Sequence, residues 1–538
     1  VDSANVTVTL TLSNVAAGSL NTATSGTVTS TFAGGVWTAS GAVANVNALL
    51  AGLTFTPATD FNANFSIATS VSDGVAAALI GSKAFSAIAM NDAPSFGNGD
   101  GAVTTDFGAG DIAYAVAVQP DGKIVLAGSA RVGGNDDFAL TRYNSDGSLD
   151  TGFGSGGKVT TAISAGTDWA HGVAVQPDGK IVVTGRGHNG VDWDVTVVRY
   201  HADGSLDTSF GAAGTGIVRV DIGGANDVGN MVAIQGDGKI VVSARARIGS
   251  TDDFAVVRLN TDGTLDTSFG ATGKVTTAIG PGNESGQRVT LPADGKIVVS
   301  GYSSNGSNND FAVVRYHADG TLDVGFGGTG IVTTSIGTGN DTGSSAAVQV
   351  DGKIVVAGAS YNGSNDDFAI VRYHADGTLD TGFGSSGIVI TPVGAGTAQG
   401  QSVRLQADGK IVVGGLALVG GNSDFAVVRY HADGSLDGSF GVGGKTTLAI
   451  GPGNDASLEM ALQPDGQILL AGRSSNGADD DFAVVRVGTG GTPDTGFDQR
   501  ILNGRPRYTE DGAAVILDSD VQVWDAELAA ADNYAGAT

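Results

Sequence analysis

The chain has 538 residues with 87 Gly and 11 Pro, yet 41% of it is hydrophobic, which describes a folded protein with many tight turns. Its 28 Lys+Arg against 55 Asp+Glu leave a net charge of −27, which excludes a nucleic-acid or anionic-membrane surface and suits Ca²⁺, although an acidic surface also serves solubility. It contains no Cys, so disulfide and thiolate chemistry are excluded, and it has no run of about 18 apolar residues that would insert in a membrane.

Taken in chain order, residues 1–93 alternate apolar and polar side chains, as in VTVTLTL and FSIATSVSDG, which predicts an antiparallel β-sandwich. A detached strand follows, Phe96-Gly97 and then Ala102-Val103-Thr104-Thr105. From there the sequence repeats. The turn Asp residues Asp121, Asp178, Asp237 and Asp294 begin a series that continues to Asp465 at a spacing of 57 residues, with one gap of 59. Seven copies result, each with four β segments: a DG turn joins the first two, an ADG turn joins the last two, and no helix intervenes. Such units predict an all-β, seven-bladed β-propeller of four-stranded blades; a parallel β-helix has shorter coils, and kelch and WD units carry other signatures. The seventh copy lacks its last strand, so the detached strand within residues 96–107 is expected to complete that blade and close the ring. The first strand of each copy, as in Val116-Ala117-Val118, is expected to be buried on both faces, with Thr290 and Arg404 breaking its series of small residues. The domains read as 1–93, 96–502 and a short segment 503–538, the flanking two as modules cut by the ends of the chain.

Alternate loops of such a blade share one face, called here the crown face. It gathers carboxylates before the first strands and others between the second and third. Asp136, Asp192, Asp252, Asp366 and Asp480 are candidate Ca²⁺ ligands. The Asp that opens each third strand (Asp137, Asp194, Asp253, Asp310, Asp367, Asp424, Asp481) reads instead as structural, bonding backbone N–H groups of a loop. His201, His317, His374 and His431 fall one per blade on the opposite face, too far apart for a shared metal site. The second copy differs from the others in placing Trp169, His171, His188 and Trp193 in crown loops. With Tyr114 at the channel mouth they form a candidate ligand-binding platform, or else the indoles fill gaps between loops.

The recurring phrases PDGKIVVAG, DFAVVRY and DGSLDTSFG resemble the bacterial delta-60 repeat over roughly Phe96 to Leu502, and the order of hairpins is more loosely similar to NHL-type blades. The resemblance implies a propeller in a large secreted or surface protein. VNALLAGLTFTPATDFNANFSIATSVSDG, ending in Asn91-Asp92-Ala93-Pro94, resembles the cadherin-like modules of large RTX-type bacterial adhesins, and residues 503–538 resemble the start of another. That resemblance implies Ca²⁺ ligation at Asp92, Glu510, Asp511, Asp518 and Asp520.

Three functions are consistent with these readings. The first is a non-enzymatic, monomeric, Ca²⁺-stabilised adhesion module on the bacterial surface, whose partners are a cell-surface glycan or protein and the neighbouring modules of its own polypeptide. The second is a carbohydrate-binding propeller using the aromatics of the second copy. The third is a hydrolase or lyase with its site at the channel mouth, although no Ser/His/Asp order, metal triad or catalytic carboxylate pair stands out there.

Overall fold

The computed structural model describes residues 5–57, 65–75, 77–85 and 101–497. These fall into two compact units. Asp92, Glu510, Asp511, Asp518 and Asp520, as well as Phe96-Gly97, lie outside the described residues. Among those described, no helix is long and apolar enough to cross a membrane.

The N-terminal unit is a five-stranded antiparallel sheet in which Asn5–Leu12 pairs with Val36–Ala42 on one side and Phe65–Ser72 on the other. Within the stretch expected to be an all-β sandwich, VANVNALLA is a helix, Val43–Ala51. Its buried residues, Val46 and Leu49, stand three apart, a helical spacing. They join Val8, Leu10, Trp37 and Ala39 of the sheet in one core.

The second unit is the seven-bladed propeller. Blade one consists of Ile112–Val118, Ile124–Val132, Asn135–Tyr143 and Lys158–Thr161, hydrogen-bonded in that order and all antiparallel. The pattern recurs through blade six. In blade seven, Asp455–Leu462, Ile468–Ser475 and Asp480–Val487 are completed by Ala102–Thr105, with Val103 opposite Val484 and Thr105 opposite Phe482. The spare strand therefore closes the ring as its sequence predicted. The first strands of successive blades touch all the way round, that of blade seven meeting that of blade one.

Burial within a blade differs from the expectation in one respect. The second and third strands are the most deeply buried, Val125, Leu126 and Ala127 being inaccessible, whereas Ala117 and Val118 of the first strand are half-buried. First strands surround the axis and leave part of one face on the channel, while the middle strands are covered on both faces by neighbouring blades.

Two side-chain devices join the blades. In the DFAVVRY strand the Arg, from Arg142 in blade one to Arg486 in blade seven, lies 4.3–4.7 Å above the Phe ring of its own FG turn. It also pairs at 2.7–2.8 Å with the Asp three residues before that Phe. The same guanidinium donates to a turn carbonyl of the next blade: Arg315 reaches Ala375, and Arg486 reaches Ser145 back in blade one. The second device is a Tyr–Thr hydrogen bond to the outer strand of the preceding blade, as in Tyr200–Thr161 at 2.9 Å and Tyr143–Thr105 at 2.5 Å. At two of the seven boundaries both members change together, to Leu259 with Val220 and to Val487 with Leu448, exchanging the bond for apolar contact.

The latch carboxylates determine acid behaviour. Burial alone would raise the pKa of Asp323, but the Lys296 ammonium, the Arg315 guanidinium and the Gly325 N–H outweigh it and hold the group down to about 2. Because the folded pKa lies below the unfolded value of about 3.9, this stabilisation is complete above that value and is lost as pH falls toward 2. Asp207, Asp266 and Asp437 are also held down, chiefly by the hydroxyl groups of Ser209, Ser268 and Ser439 and then by their basic partners. The propeller is therefore expected to lose stability steeply between about pH 4 and pH 2. Arg315→Met is expected to cost about 3 kcal/mol at neutral pH, by leaving Asp323 buried with Lys296 alone, and to reduce the acid loss. Denaturant melts across pH test both; equal stability of parent and variant would contradict the latch.

Candidate functional site

Each blade interrupts the pairing of its first two strands at the same place, for instance between Ala113 and Ala115 in blade one and between Ala170 and Gly172 in blade two. The bulged residues, Tyr114 and His171 among them, are the ones that vary at the channel mouth. A bulge re-aims the side chain it carries. It also brings two backbones close: a Cβ on Gly185 would stand 1.9 Å from the Trp169 carbonyl oxygen, so glycine is required there.

Adjacent bulges place the Tyr114 and His171 rings edge to face at 5.2 Å, with Trp169 stacked 6.3 Å from Tyr114. On the other side His188 meets Trp193 at 5.8 Å. Between the two groups stands Arg186, its guanidinium carbon 4.1 Å from the Trp169 ring centre and 4.8 Å from that of Trp193. All five residues singled out from the sequence thus converge, and all are half-buried. Arg186, in the strand IVVTGRGH, was missed because the sequence of a strand does not show whether its arginine has a partner on the next strand.

Hydrogen bonds fix the rings. The Trp169 indole N–H donates to Asp136 at 2.9 Å, and that of Trp193 to the Thr167 carbonyl at 3.2 Å, so the indoles also anchor crown loops. His171 Nδ1 lies 3.1 Å from the Gly229 carbonyl oxygen, which can only accept, so that nitrogen carries the proton and Nε2 is an acceptor. Burial, aided by the Arg186 charge, lowers its pKa to about 4 and keeps the ring neutral at pH 7. His188 Nδ1 accepts instead, from the Gly190 N–H.

The crown carboxylates divide into three groups. Of the candidate Ca²⁺ ligands, Asp136 is held by Trp169, Asp192 by Asn189, Asp252 by Arg247, Asp366 by Gln399 and Asp480 by Arg473. Each therefore serves its own local contact. The third-strand Asp residues bond loop side chains rather than the expected backbone: Asp194, Asp310, Asp367 and Asp481 accept from Asn189, Asn305, Asn362 and Asn476, Asp137 from Asn135 and Asp253 weakly from Thr251, while Asp424 is buried beside Asp455. Loop N–H groups go instead to the carboxylate at the start of the first strand, present in every blade but the sixth, where Ala398 stands. Asp168, for example, accepts from Ile163, Ser164 and His188. That carboxylate is already beside the loop, leaving the third-strand Asp to the longer Asn side chains.

At two blade boundaries the carboxylates converge. Oxygens of Asp106, Asp111 and Asp481, and of Asp194, Asp221 and Asp227, lie within 4.8 Å of one another. Burial pushes Asp111 up to about 7 and Asp227 to about 6. One oxygen each of Asp194 and Asp481 is sealed from solvent without a hydrogen-bond partner. The extra members, Asp106 and Asp221, follow an outer strand where other copies have Ala, Ser or Pro.

Deeper in the channel Glu459 of blade seven pairs with Arg288 of blade four and, at 2.6 Å, with Arg404 of blade six, while Ser402 donates to it at 2.7 Å. Burial would raise the Glu459 pKa, yet the two guanidinium groups hold it down to about 2. Arg404 thus has the channel partner that its break in the small-residue series implied. Thr290 likewise finds one, donating to the Ala346 carbonyl of the next blade at 2.8 Å. On the opposite face, each turn His lies 3.6–3.8 Å from the latch Asp of its own blade.

Seven segments, 119–153, 176–210, 235–269, 293–326, 349–383, 406–440 and 463–497, match a family model described as "Domain of unknown function (DUF5122) beta-propeller". The repeats fit that propeller-repeat family, one match per blade. Similar solved structures include polysaccharide lyase Uly1, at 11% identity and a TM-score of 0.42, covering 70% of this chain and 90% of that one. Sqt1 of Chaetomium thermophilum bound to the N-terminus of ribosomal protein L10 is similar at 12% identity and a TM-score of 0.40, covering 72% and 99%. A GH43 endo-arabinanase from Bacillus licheniformis is similar at 12% identity and a TM-score of 0.31, covering 60% and 95%. At these identities the likeness is one of fold. No curated protein matches the chain by sequence.

Proposed function

We propose that this propeller is a non-catalytic, monomeric binding module of an exported or surface-anchored bacterial protein, and that it takes a saccharide on the crown face of blade two. The observation that carries this reading is the convergence of Tyr114, Trp169, His171, His188 and Trp193 around Arg186, half-buried and confined to one blade boundary of an otherwise repetitive ring. Aromatic faces beside fixed polar groups suit the apolar face and hydroxyl rim of a sugar. The imidazoles support binding over catalysis, since His171 and His188 are each tied to backbone rather than to a carboxylate. The expected result is binding of an oligosaccharide on a glycan array, weakened tenfold or more by Trp193→Ala, with no product formed in the same incubation. A blank array, or equal binding by the variant, would count against the saccharide, and turnover would count against the non-catalytic role.

We also propose that Ca²⁺ stabilises the module through Asp106, Asp111 and Asp481 and through Asp194, Asp221 and Asp227. Three carboxylates, two of them buried and one exposed, that repel one another lose that repulsion on taking up a hard cation. Adding CaCl₂ to chelator-treated protein should raise Tm by a few degrees, and Asp221→Asn with Asp106→Asn should remove the rise. A melt indifferent to Ca²⁺ would sink this part.

A further inference from the structure

Three blades carry an arginine at one register of the second strand: Arg186, Arg245 and Arg473, opposite Val195, Phe254 and Phe482 of the third. Two residues earlier on that third strand, on the same face of the sheet, blades three and seven supply Asp252 and Asp480. Each meets its arginine, Arg473 with Asp480 at 2.7 Å and Arg245 with Asp252 at 3.5 Å. Blade two has Trp193 at this position. Arg186 is consequently the one of the three without a carboxylate.

Nothing else among the described residues replaces it. The guanidinium is held only by the two indole faces. Its Nε is sealed from solvent without an acceptor, whereas its Nη groups, also without one, are not sealed. The charge nearest enough to perturb it most is another cation, Arg245. A desolvated guanidinium flanked by aromatic rings, with its outer donors open, is configured for the bidentate acceptance that carboxylate and sulfate groups provide. Such a group would also offset the Arg186–Arg245 repulsion.

We propose that the ligand of this site is an acidic saccharide, whose carboxylate or sulfate ester occupies at Arg186 the place that Asp252 and Asp480 occupy at the homologous arginines. This deepens the saccharide reading and rests on it. The chemistry fits the molecule's net charge of −27 only if attraction is local: a generally basic surface would collect polyanions without discrimination, whereas one unpaired guanidinium in an acidic crown selects a single anion held in register by the rings.

The test is calorimetric titration of the whole chain with oligogalacturonate, alginate oligosaccharide, a sulfated galactan oligosaccharide and the neutral galactan counterpart. Two variants accompany the parent. Arg186→Gln removes the charge, and Trp193→Asp gives Arg186 the intramolecular partner that blades three and seven already have. The parent is expected to bind at least one acidic oligosaccharide tenfold or more tightly than the neutral one. Both variants should erase that preference. Preference for the uronates would identify a carboxylate, and preference for the sulfated galactan a sulfate ester. Equal binding of acidic and neutral sugars, unchanged in Arg186→Gln, would overturn the anionic assignment while leaving the saccharide reading intact. Failure of the parent to bind any of the four would overturn both.

Discussion

The structure depends on a guanidinium that serves two blades at once. In each repeat the Arg of DFAVVRY is held flat by its own Phe and Asp and spends a remaining donor on a carbonyl of the next blade. Ladder hydrogen bonds run within each four-stranded sheet, so association between blades rests on apolar packing of the middle strands, the Tyr–Thr bond, this latch and single backbone bonds between loops, such as that from the Gly327 N–H to the Asp376 carbonyl. Packing alone is tolerant of small rotations, whereas a guanidinium fixed by an ion pair and a ring specifies direction. Because the same geometry recurs seven times, and the last latch reaches Ser145 of blade one, the ring closes on itself.

A regular framework makes departures from regularity informative. The bulge that every blade carries near the channel mouth is matched by a glycine on the second strand in all blades but the third, which has Ala244, and it exposes one residue toward the axis whose identity is free to vary without disturbing the latch. In blades one and two it is Tyr114 and His171, and beside them Trp169 and Trp193 open the first and third strands of blade two. With Trp193 where blades three and seven have Asp252 and Asp480, Arg186 is a cation that the surrounding protein shields on two faces but does not neutralise. The channel shows the contrasting arrangement, in which Glu459 gathers guanidinium groups from two other blades and each of them has a carboxylate partner within the protein.

The repeat, the number of blades and the borrowed strand were legible in the sequence because each is a matter of spacing: turn Asp residues recur every 57 positions, and a copy missing its last strand can be matched to a spare strand placed before the first. The aromatic site was legible for a related reason, since no other copy has a tryptophan at the positions of Trp169 and Trp193. Arg186 was not, because its significance lies in a carboxylate absent from the neighbouring strand, and the strand register is needed to know which residue should have supplied it. The Arg288–Glu459–Arg404 group escaped for a geometric reason, its members belonging to three blades and meeting only where all first strands converge. The helix Val43–Ala51 was hidden because the segments around it alternate, although Val46 and Leu49 already carry a helical spacing.

Closure of the ring by the early strand is the claim from which the site, the latch and the channel all follow, since only a closed circle brings blade seven against blade one. The chain has no Cys, so a pair introduced at Val103 and Val484, which face each other across the closing strand, reports on that contact without background. Mild oxidation of the double variant Val103→Cys/Val484→Cys should consume both thiols in an intramolecular disulfide and raise Tm. Two thiols that stay reactive in the folded protein under the same conditions would contradict the closed ring.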